Sequence, residues 1–391
     1  MNGPLSHIRV LDFSTLLPGP YATMLLADMG AEVVRVESPT RLDLLRITPP
    51  MKDDRSYAHL AINRSKYSLG VDLKSPDAAQ LIKDIVSEFD VVIEQFRPGV
   101  MERLGLDYKS LSAAHPGIVY CSLTGYGQTG PLSQRAGHDI NYLALSGLAS
   151  YSGRRDTGPV LSATQIADLA GGSHHAVMAI QAALLSRTQT GKGQHLDISM
   201  SDAAMSLNGM FGAAALATGQ DPGLGNTVLN GATHYDYYLT KDNEYLAVGS
   251  LEPQFAAALL QGLGHQEWLP RLVGSDLSDV KADIAACIAT QSLSYWQEVF
   301  DPIDACVDPV LSVNQAATHP HFLARGMVKS IALEDGQTIP IIASALPSAE
   351  RSEPQRAGVR PGQDSREILS NCGLDVSRID ALINAGCVHQ A

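Results

Sequence analysis

The chain has 391 residues, of which 45% are hydrophobic and 18% charged, and its formal net charge is −13. This length exceeds one ordinary domain, and the composition is that of a globular protein with a large core, which excludes a disordered chain. The negative charge disfavours nucleic acid or an anionic membrane as the main partner, because both select basic surfaces.

The start of the chain lacks the basic segment and the apolar run of a signal peptide. The longest apolar stretch, near residues 203–217, is too short to span a bilayer. We therefore expect a cytoplasmic protein. The five cysteines are odd in number and form no C-x-x-C pair, so neither a disulfide framework nor a structural zinc site is indicated, and no metal is expected.

The first 200 residues alternate between short β-branched strands and helices. Strands are predicted at residues 8–13, 32–37, 68–73, 90–94, 118–123 and 194–199. Strands rich in Val and Ile that alternate with helices are typical of a mostly parallel sheet covered on both faces. We therefore predict an α/β fold with an open, Rossmann-like sheet. No G-x-G-x-x-G follows the first strand, which disfavours a dinucleotide site.

The pattern changes after about residue 200. A predicted helix leads into a glycine-rich segment, and a hairpin with several helices then indicates a smaller α+β unit. The predicted organisation is a large domain beginning with residues 1–200, a helix and linker at 201–231, a small α+β domain at 232–325, and a linker with a return to the large domain at 326–391.

The first candidate for acid–base chemistry lies between Gly137 and Gly147. The imidazole of His138 has an unperturbed pKa near neutrality, and the polar residues that follow it are unusual in a plain core helix. The second candidate is Asp168, predicted at the start of a long helix, where it is equally suited to be an ordinary N-cap. Amides at that helix start could fix the carboxylate and donate to a substrate oxyanion.

A third candidate is Glu252, which lies between a predicted strand and Pro253. It is either a solvated turn residue or a carboxylate that orients His138 and raises its basicity. The sequence has no G-x-S-x-G and no H-E-x-x-H motif, which disfavours a serine hydrolase and a zinc protease. The remaining candidate reactions are proton transfer and nucleophilic chemistry by a carboxylate.

Several motifs are shared with one protein family. They include Val10-Leu11-Asp12, Leu26-Ala27-Asp28-Met29-Gly30-Ala31-Glu32, Arg97-Pro98-Gly99, Gly125-Tyr126-Gly127-Gln128-Thr129-Gly130-Pro131, Thr190-Gly191-Lys192-Gly193-Gln194 and Pro320-His321-Phe322. On these residues the sequence resembles the family III CoA transferases and racemases, the CaiB/BaiF family, over most of its length. Residues 137–147 are most similar to the branch of the α-methylacyl-CoA racemases.

This resemblance implies a large α/β domain, a small domain on two long linkers, and a homodimer whose two chains interlock as rings with the active site between them. It implies an acyl-CoA substrate, with coenzyme A as part of the thioester and no separate cofactor. By the same resemblance, His138 and Asp168 are the acid–base pair and Glu252 supports the histidine.

Further residues are expected around the substrate. The predicted contacts to the CoA phosphates and the acyl group are Arg35, Lys66, Arg97, Arg103, Tyr142 and Met200. Met200 would form a methionine-rich acyl surface with Met205 and Met210, for which core packing is the alternative. Ser38 stands where racemases of the family have an arginine, so the group that holds the CoA 3′-phosphate is not assigned.

The leading hypothesis is a 1,1-proton transfer at C2 of a 2-methylacyl-CoA thioester through an enolate. The alternative is CoA transfer between carboxylic acids with Asp168 as the nucleophile, in which case His138 only positions the substrate. A third possibility is a CoA-binding scaffold without activity.

Overall fold

The computed structural model of the protein describes residues 3–274, 277–347 and 351–391. Within these ranges seven strands form the main sheet: β1 (Arg9–Asp12), β2 (Glu32–Glu37), β3 (Lys66–Val71), β4 (Val91–Glu94), β5 (Val119–Thr124), β6 (His195–Ser199) and β7 (Val388–His389). Their spatial order is β6-β5-β4-β1-β2-β3-β7. The first six are parallel and β7 is antiparallel to β3, so the predicted α/β class with a mostly parallel sheet is confirmed.

Helices cover both faces of this sheet, which is why its central strands are continuous apolar runs. On one face, the helices Ala78–Ile85, Tyr108–Ala114, Ser365–Asn371 and Val376–Asn384 pack against apolar side chains of the sheet. On the other face lie the helices Pro18–Asp28 and His174–Thr190. Two prolines occupy the first turn of Pro18–Asp28. A backbone N–H in the first turn has no acceptor within the helix, so proline, which lacks the N–H, breaks no hydrogen bond there.

The remaining elements are shorter. Further helices cover Tyr57–Ile62, Val100–Arg103, Asp139–Leu145, Leu148–Tyr151, Met200–Ser206, Gly209–Thr218, Val313–Thr318 and Pro320–Ala324, with 3-10 turns at Leu44–Arg46, Val86–Glu88 and Gln266–Leu272. Small antiparallel pairs join Met51–Lys52 to Arg55–Ser56, Gly153–Arg154 to Gly158–Pro159, and Val328–Ala332 to Thr338–Ile342. No helix within the described ranges is long and apolar enough to cross a membrane.

The described residues group into two compact units. The first contains the residues up to Ser146, Ala163–Leu207 and the residues from Pro320 onward. The second contains Gly147–Ser162 and Asn208–His319. The sequence-based division assigns residues 1–200 to the large domain without interruption, whereas residues 147–162 belong to the second unit of the structure. The predicted domain boundaries stay a prediction.

The second unit has its own sheet and core. Strands Asp236–Leu239, Tyr245–Val248 and Val307–Pro309 form an antiparallel sheet in that order. The helices Pro253–Leu263, Ser278–Ile288 and Leu293–Phe300 contribute buried side chains to one apolar cluster with it. The indole N–H of Trp296 in this cluster donates to the carbonyl of Ile288 at 2.8 Å, so its polar atom is satisfied.

Candidate active site

His138 is exposed and immediately precedes the helix Asp139–Leu145. Its backbone N–H donates to Oδ1 of Asn141 at 3.0 Å, and its carbonyl accepts from the N–H of Asn141 at 2.8 Å. Asn141 is therefore a helix-capping residue, which explains one of the polar side chains in this segment. The two reciprocal bonds fix the backbone of His138.

Asp168 lies inside a π-helical turn, Ile166–Ser173, which continues into the α-helix His174–Thr190. The helical segment begins at Ile166, two residues before the predicted start, so Asp168 lies in its first turn, near the N-terminus. Asp168 is consequently not an N-cap. Short π-helical stretches are rare and are found frequently at functional sites, where they redirect side chains.

The half-buried carboxyl group of Asp168 has a raised pKa. Burial raises its pKa to about 6, and the neighbouring Asp139 carboxylate acts in the same direction. An electrostatic contribution from His138 opposes this shift, so the two residues are close together. The structure thus places His138 and Asp168 within electrostatic reach of each other, and both forms of Asp168 are accessible at physiological pH.

Tyr142 supports the backbone just before His138 from the protein interior. Its side chain is 4% exposed, its hydroxyl donates to the carbonyl of Gly137 at 2.7 Å, and its ring meets that of Tyr126 edge-on at 5.2 Å. A Cβ on Gly137 would lie 2.7 Å from the ring of Tyr142, so this glycine permits the close approach. Burial raises the pKa of the Tyr142 hydroxyl, and the Asp168 carboxylate adds to the shift. Tyr142 thus supports the backbone beside His138, and its contact with the substrate stays a prediction.

Met200 is also a core residue. It is buried, and a Cβ on Gly172 would lie 2.8 Å from its Cγ and 3.2 Å from Leu123. Core packing, the alternative for Met200, accounts for its position, and its contact with the acyl group stays a prediction. The side chains of Met205 and Met210 are exposed, and these two residues belong to different units.

Two of the four predicted phosphate ligands are buried and bonded within the protein. The guanidinium of Arg35 pairs with Asp43 at 2.9 Å and with Glu37 at 3.2 Å. The ammonium of Lys66 donates to three acceptors of the same chain, among them the carbonyl of Pro20 at 2.7 Å. Because neither cation reaches the surface, their assignment to the CoA phosphates is corrected.

Arg97 and Arg103 are exposed and lie just after β4, at the carboxyl end of the parallel sheet. Ligands of open α/β sheets commonly bind at this edge. These two arginines remain as candidates for the CoA phosphates.

A second polar cluster, which the sequence did not predict, lies on one face of the main sheet, the face to which Ser122 of β5 points. Glu94, Ser122 and His195 line a cavity of about 180 Å³ there. Oγ of Ser122 lies 2.9 Å from Nε2 of His195, and burial raises the pKa of Glu94 to about 7. The three residues lie on three neighbouring strands, so only the strand register brings them together.

Glu252 belongs to the second unit. It is exposed and directly precedes the helix Pro253–Leu263. Its carboxylate contributes to raising the pKa of the Cys306 thiol, chiefly caused by burial. Its support of His138 concerns residues of two different units and stays a prediction. Among the residues described, no group of three or more His, Cys, Asp or Glu side chains could hold a metal ion.

The sequence and the fold match known proteins over nearly their whole length. A human protein named alpha-methylacyl-CoA racemase is 36% identical over 383 residues, which cover 96% of this chain and 95% of that protein. A mouse succinyl-CoA:glutarate CoA-transferase is 31% identical over 404 residues, covering 99% and 91%. The crystal structure of a CAIB/BAIF family protein from Brucella suis aligns with a TM-score of 0.83 at 28% identity, covering 95% of this chain and all of that one.

The family-level match is equally extensive. Residues 5–365 fit the family described as CoA-transferase family III. Its members include racemases and CoA-transferases, and relatives of both kinds are similar to this chain. The chain belongs to CoA-transferase family III.

Proposed function

We propose that the protein is a racemase that exchanges the C2 proton of 2-methylacyl-CoA thioesters, with His138 and Asp168 as the acid–base pair. The observation that carries the proposal is the pairing of a half-buried aspartate, whose pKa is about 6, with a histidine within electrostatic reach. A general base and a general acid work best when their pKa values lie near the operating pH. The similarity to alpha-methylacyl-CoA racemase supports the same reaction.

In this reaction the thioester acidifies the C2 proton. One of the two groups removes it from one face, and the enolate that forms is protonated by the other group from the opposite face. The roles reverse for the other enantiomer, which is why two groups are needed around one carbon. The N–H of Asp168 is taken by Asp139, so other amides of this helix start would have to stabilise the enolate oxygen.

A second function, CoA transfer between carboxylic acids, is favoured by the similarity to succinyl-CoA:glutarate CoA-transferase. The carboxylate of Asp168 would attack the thioester carbonyl, release CoA thiolate and form a mixed anhydride. The thiolate would then attack the aspartyl carbonyl, release the first acid and leave an enzyme–CoA thioester. An acceptor acid would take over the CoA by the reverse steps.

One experiment separates the two reactions. The protein is incubated in D2O with a panel of acyl-CoA thioesters and no acceptor acid, and deuterium at C2 is measured by mass spectrometry. A racemase incorporates deuterium at C2 and inverts its configuration, and both His138→Ala and Asp168→Asn abolish the inversion. If C2 stays protonated and hydroxylamine inactivates the CoA-charged protein, the transferase is correct. His138→Ala should abolish racemisation and leave acyl capture by Asp168.

We also propose that Arg97 and Arg103 bind the CoA phosphates, that CoA acts only as part of the substrate, and that two chains interlock in a homodimer. The exposed positions of both arginines at the carboxyl end of the sheet support the first point. Membership of the family supports the others. Light scattering tests the dimer. Full activity after chelation and exhaustive dialysis, together with a cofactor-free absorption spectrum, tests the absence of a further cofactor.

A further inference from the structure

The backbone of Asp168 is held on both sides by side chains of other residues. Its N–H donates to Oδ1 of Asp139 at 2.9 Å. Its carbonyl oxygen lies 3.1 Å from the hydroxyl of Ser173, which donates to it. Asp139 begins the neighbouring helix, whereas Ser173 ends the π-helical turn that contains Asp168.

Ser173 also connects this turn to a second element. Its side chain is completely buried, and its hydroxyl lies 2.7 Å from the carbonyl of Pro18, where the helix Pro18–Asp28 begins. The single hydroxyl proton is thus shared between two carbonyl groups, those of Pro18 and Asp168. Loss of this hydroxyl would leave both carbonyls with one donor fewer.

The Pro18 carbonyl is itself fixed by its neighbours. Leu16 has a left-handed backbone with φ of 60°, which is unusual for a residue other than glycine, and its N–H donates to Asp43 at 3.0 Å. The N–H of Gly19 donates to the side chain of Gln95 at 2.9 Å. The carbonyl to which Ser173 donates is therefore part of a tightly bonded segment, not a free loop.

We propose that Asp139 and Ser173 are positioning residues, which together clamp the peptide groups of Asp168 and so fix the direction of its carboxylate. The proposal rests on the proposed function, in which Asp168 exchanges a proton with a substrate carbon. A π-helical turn is wider than an α-helical one, with i→i+5 in place of i→i+4 hydrogen bonds. The side-chain bonds from Asp139 and Ser173 add to these backbone bonds at Asp168. Relaxation of this turn would rotate Asp168 away from a reacting atom.

Asp139 acts on Asp168 both through the hydrogen bond to its N–H and through its negative charge. The amide analogue, Asp139→Asn, separates these two effects. The charged groups whose fields reach Asp168 are Asp139 and His138, and Asp139 raises the pKa of Asp168. Asp139→Asn keeps an oxygen for the N–H of Asp168 and removes the charge. Asp139→Ala removes both. Comparison of the two variants therefore isolates the hydrogen bond.

The test uses the full chain and two measurements. The first is the rate of C2 exchange, or of acyl capture if the transferase is correct. Misplacement of a catalytic group by 1 Å costs about 10²-fold in rate, so Asp139→Ala and Ser173→Ala should lower kcat by about 10- to 100-fold while KM changes little. Asp139→Asn should recover most of the loss relative to Asp139→Ala, and Ser173→Thr most of the loss in Ser173→Ala.

A control is Ser206→Ala, which removes a serine hydroxyl from an exposed position. Ser206 lies at the end of the helix Met200–Ser206, and its hydroxyl donates at 2.7 Å to Ala203 within the same helix, so it connects no second element. Its substitution should leave kcat within about twofold, since a local bond of this kind contributes little. Equal kcat in Ser173→Ala, Ser206→Ala and wild type would overturn the role of Ser173.

The second measurement does not depend on turnover. The 13C resonance of the Asp168 carboxyl group, assigned with Asp168→Asn, is titrated in each variant. We expect one resonance with a pKa near 6 in the wild type, a lower pKa in Asp139→Asn, and broadened or doubled resonances in Ser173→Ala. An unchanged resonance in all variants would refute the clamp. Absence of any CoA-ester chemistry in the wild type would refute the proposed function alone.

Discussion

Asp28 and Arg64 form a buried ion pair, in which Nε of Arg64 donates to Oδ1 of Asp28 at 3.0 Å. The side chains are only 3% and 2% exposed. Asp28 is the last residue of the helix Pro18–Asp28, and Arg64 precedes β3, so the pair ties that helix to the chain segment that enters the sheet.

Removal of one partner of this pair should be strongly destabilising. Asp28→Asn leaves an uncompensated buried guanidinium, and we expect a loss of about 3 to 5 kcal/mol in the free energy of unfolding. Urea titration followed by circular dichroism measures it. The double variant Asp28→Asn/Arg64→Met should recover part of the loss. A loss below about 1 kcal/mol in the single variant would mean that water reaches the pair.

The two adjacent glycines of the Asp168 turn should differ in their tolerance of alanine. A Cβ on Gly172 would lie 2.8 Å from Cγ of Met200, whereas a Cβ on Gly171 would meet Ala203 at an ordinary 3.4 Å. Gly172→Ala should therefore cost about 1 to 3 kcal/mol of stability. Gly171→Ala should be neutral or slightly stabilising, because alanine favours helix.

The double variant Gly172→Ala/Met200→Ala tests the cause of that loss. If the clash with Met200 is responsible, the added methyl group costs less in the Met200→Ala background than in the wild type. Equal costs in both backgrounds, measured by thermal unfolding, would contradict the packing explanation.

Glu94 should make the stability of the protein depend on pH. Burial raises its pKa from 4.5 to about 7, so the folded protein binds this proton more tightly than the unfolded chain. The contribution of Glu94 is therefore most favourable below pH 4.5 and declines as the pH rises through 7. Glu94→Gln should raise the free energy of unfolding by about 1 to 3 kcal/mol at pH 8 relative to its effect at pH 4. An equal effect at both pH values would contradict this.

The pH dependence of C2 exchange should report the ionisation of Asp168. When Asp168 acts as the base, its carboxylate form is required, and kcat/KM should fall tenfold per pH unit below about 6. Asp139→Asn should shift this limb to lower pH, because a neighbouring negative charge is removed. Initial rates of C2 exchange, measured between pH 4.5 and 8, determine the pH at which kcat/KM begins to fall. A limb unaffected by Asp139→Asn would assign it to another group.

Arg97 and Arg103 should contribute to substrate binding through the CoA phosphates. Arg97→Ala/Arg103→Ala should raise KM for an acyl-CoA by about tenfold or more and weaken its dependence on salt, since charge-assisted bonds to phosphate are lost. The control is Arg366→Ala, which removes an exposed arginine paired with Asp380. Equal KM values in the double variant and the control would exclude both arginines.

The strands of the main sheet could be predicted because their signal is local. The prediction at 32–37 coincides with β2, and that at 118–123 differs from β5 by one residue at each end. In contrast, β7 has only two residues, too few for any periodicity, and it is a strand because it pairs with β3. The predicted strand at 68–73 begins two residues late, because the observed strand starts with the buried Lys66, and a charged residue is unusual inside a buried strand.

The site was only partly predictable for a related reason. His138 and Asp168 could be predicted because an imidazole and a carboxylate are common acid–base groups and residues 137–147 resemble a family motif. The roles assigned to Arg35 and Lys66 failed because their partners, Asp43 and the carbonyl of Pro20, could not be inferred from charge alone. Ser173 gave no signal at all, since a buried serine on a helix is common and only the fold shows what it contacts.

The unit that contains Asp168 is assembled from three separated stretches of the chain, with the excursions at 147–162 and 208–319 between them. During synthesis on the ribosome, its C-terminal helices emerge only after the whole second unit has been translated. Until then the apolar face that they cover is open to chaperones or to aggregation. Long sequence separation also slows folding, so the nascent protein should acquire protease resistance in the second unit before the first.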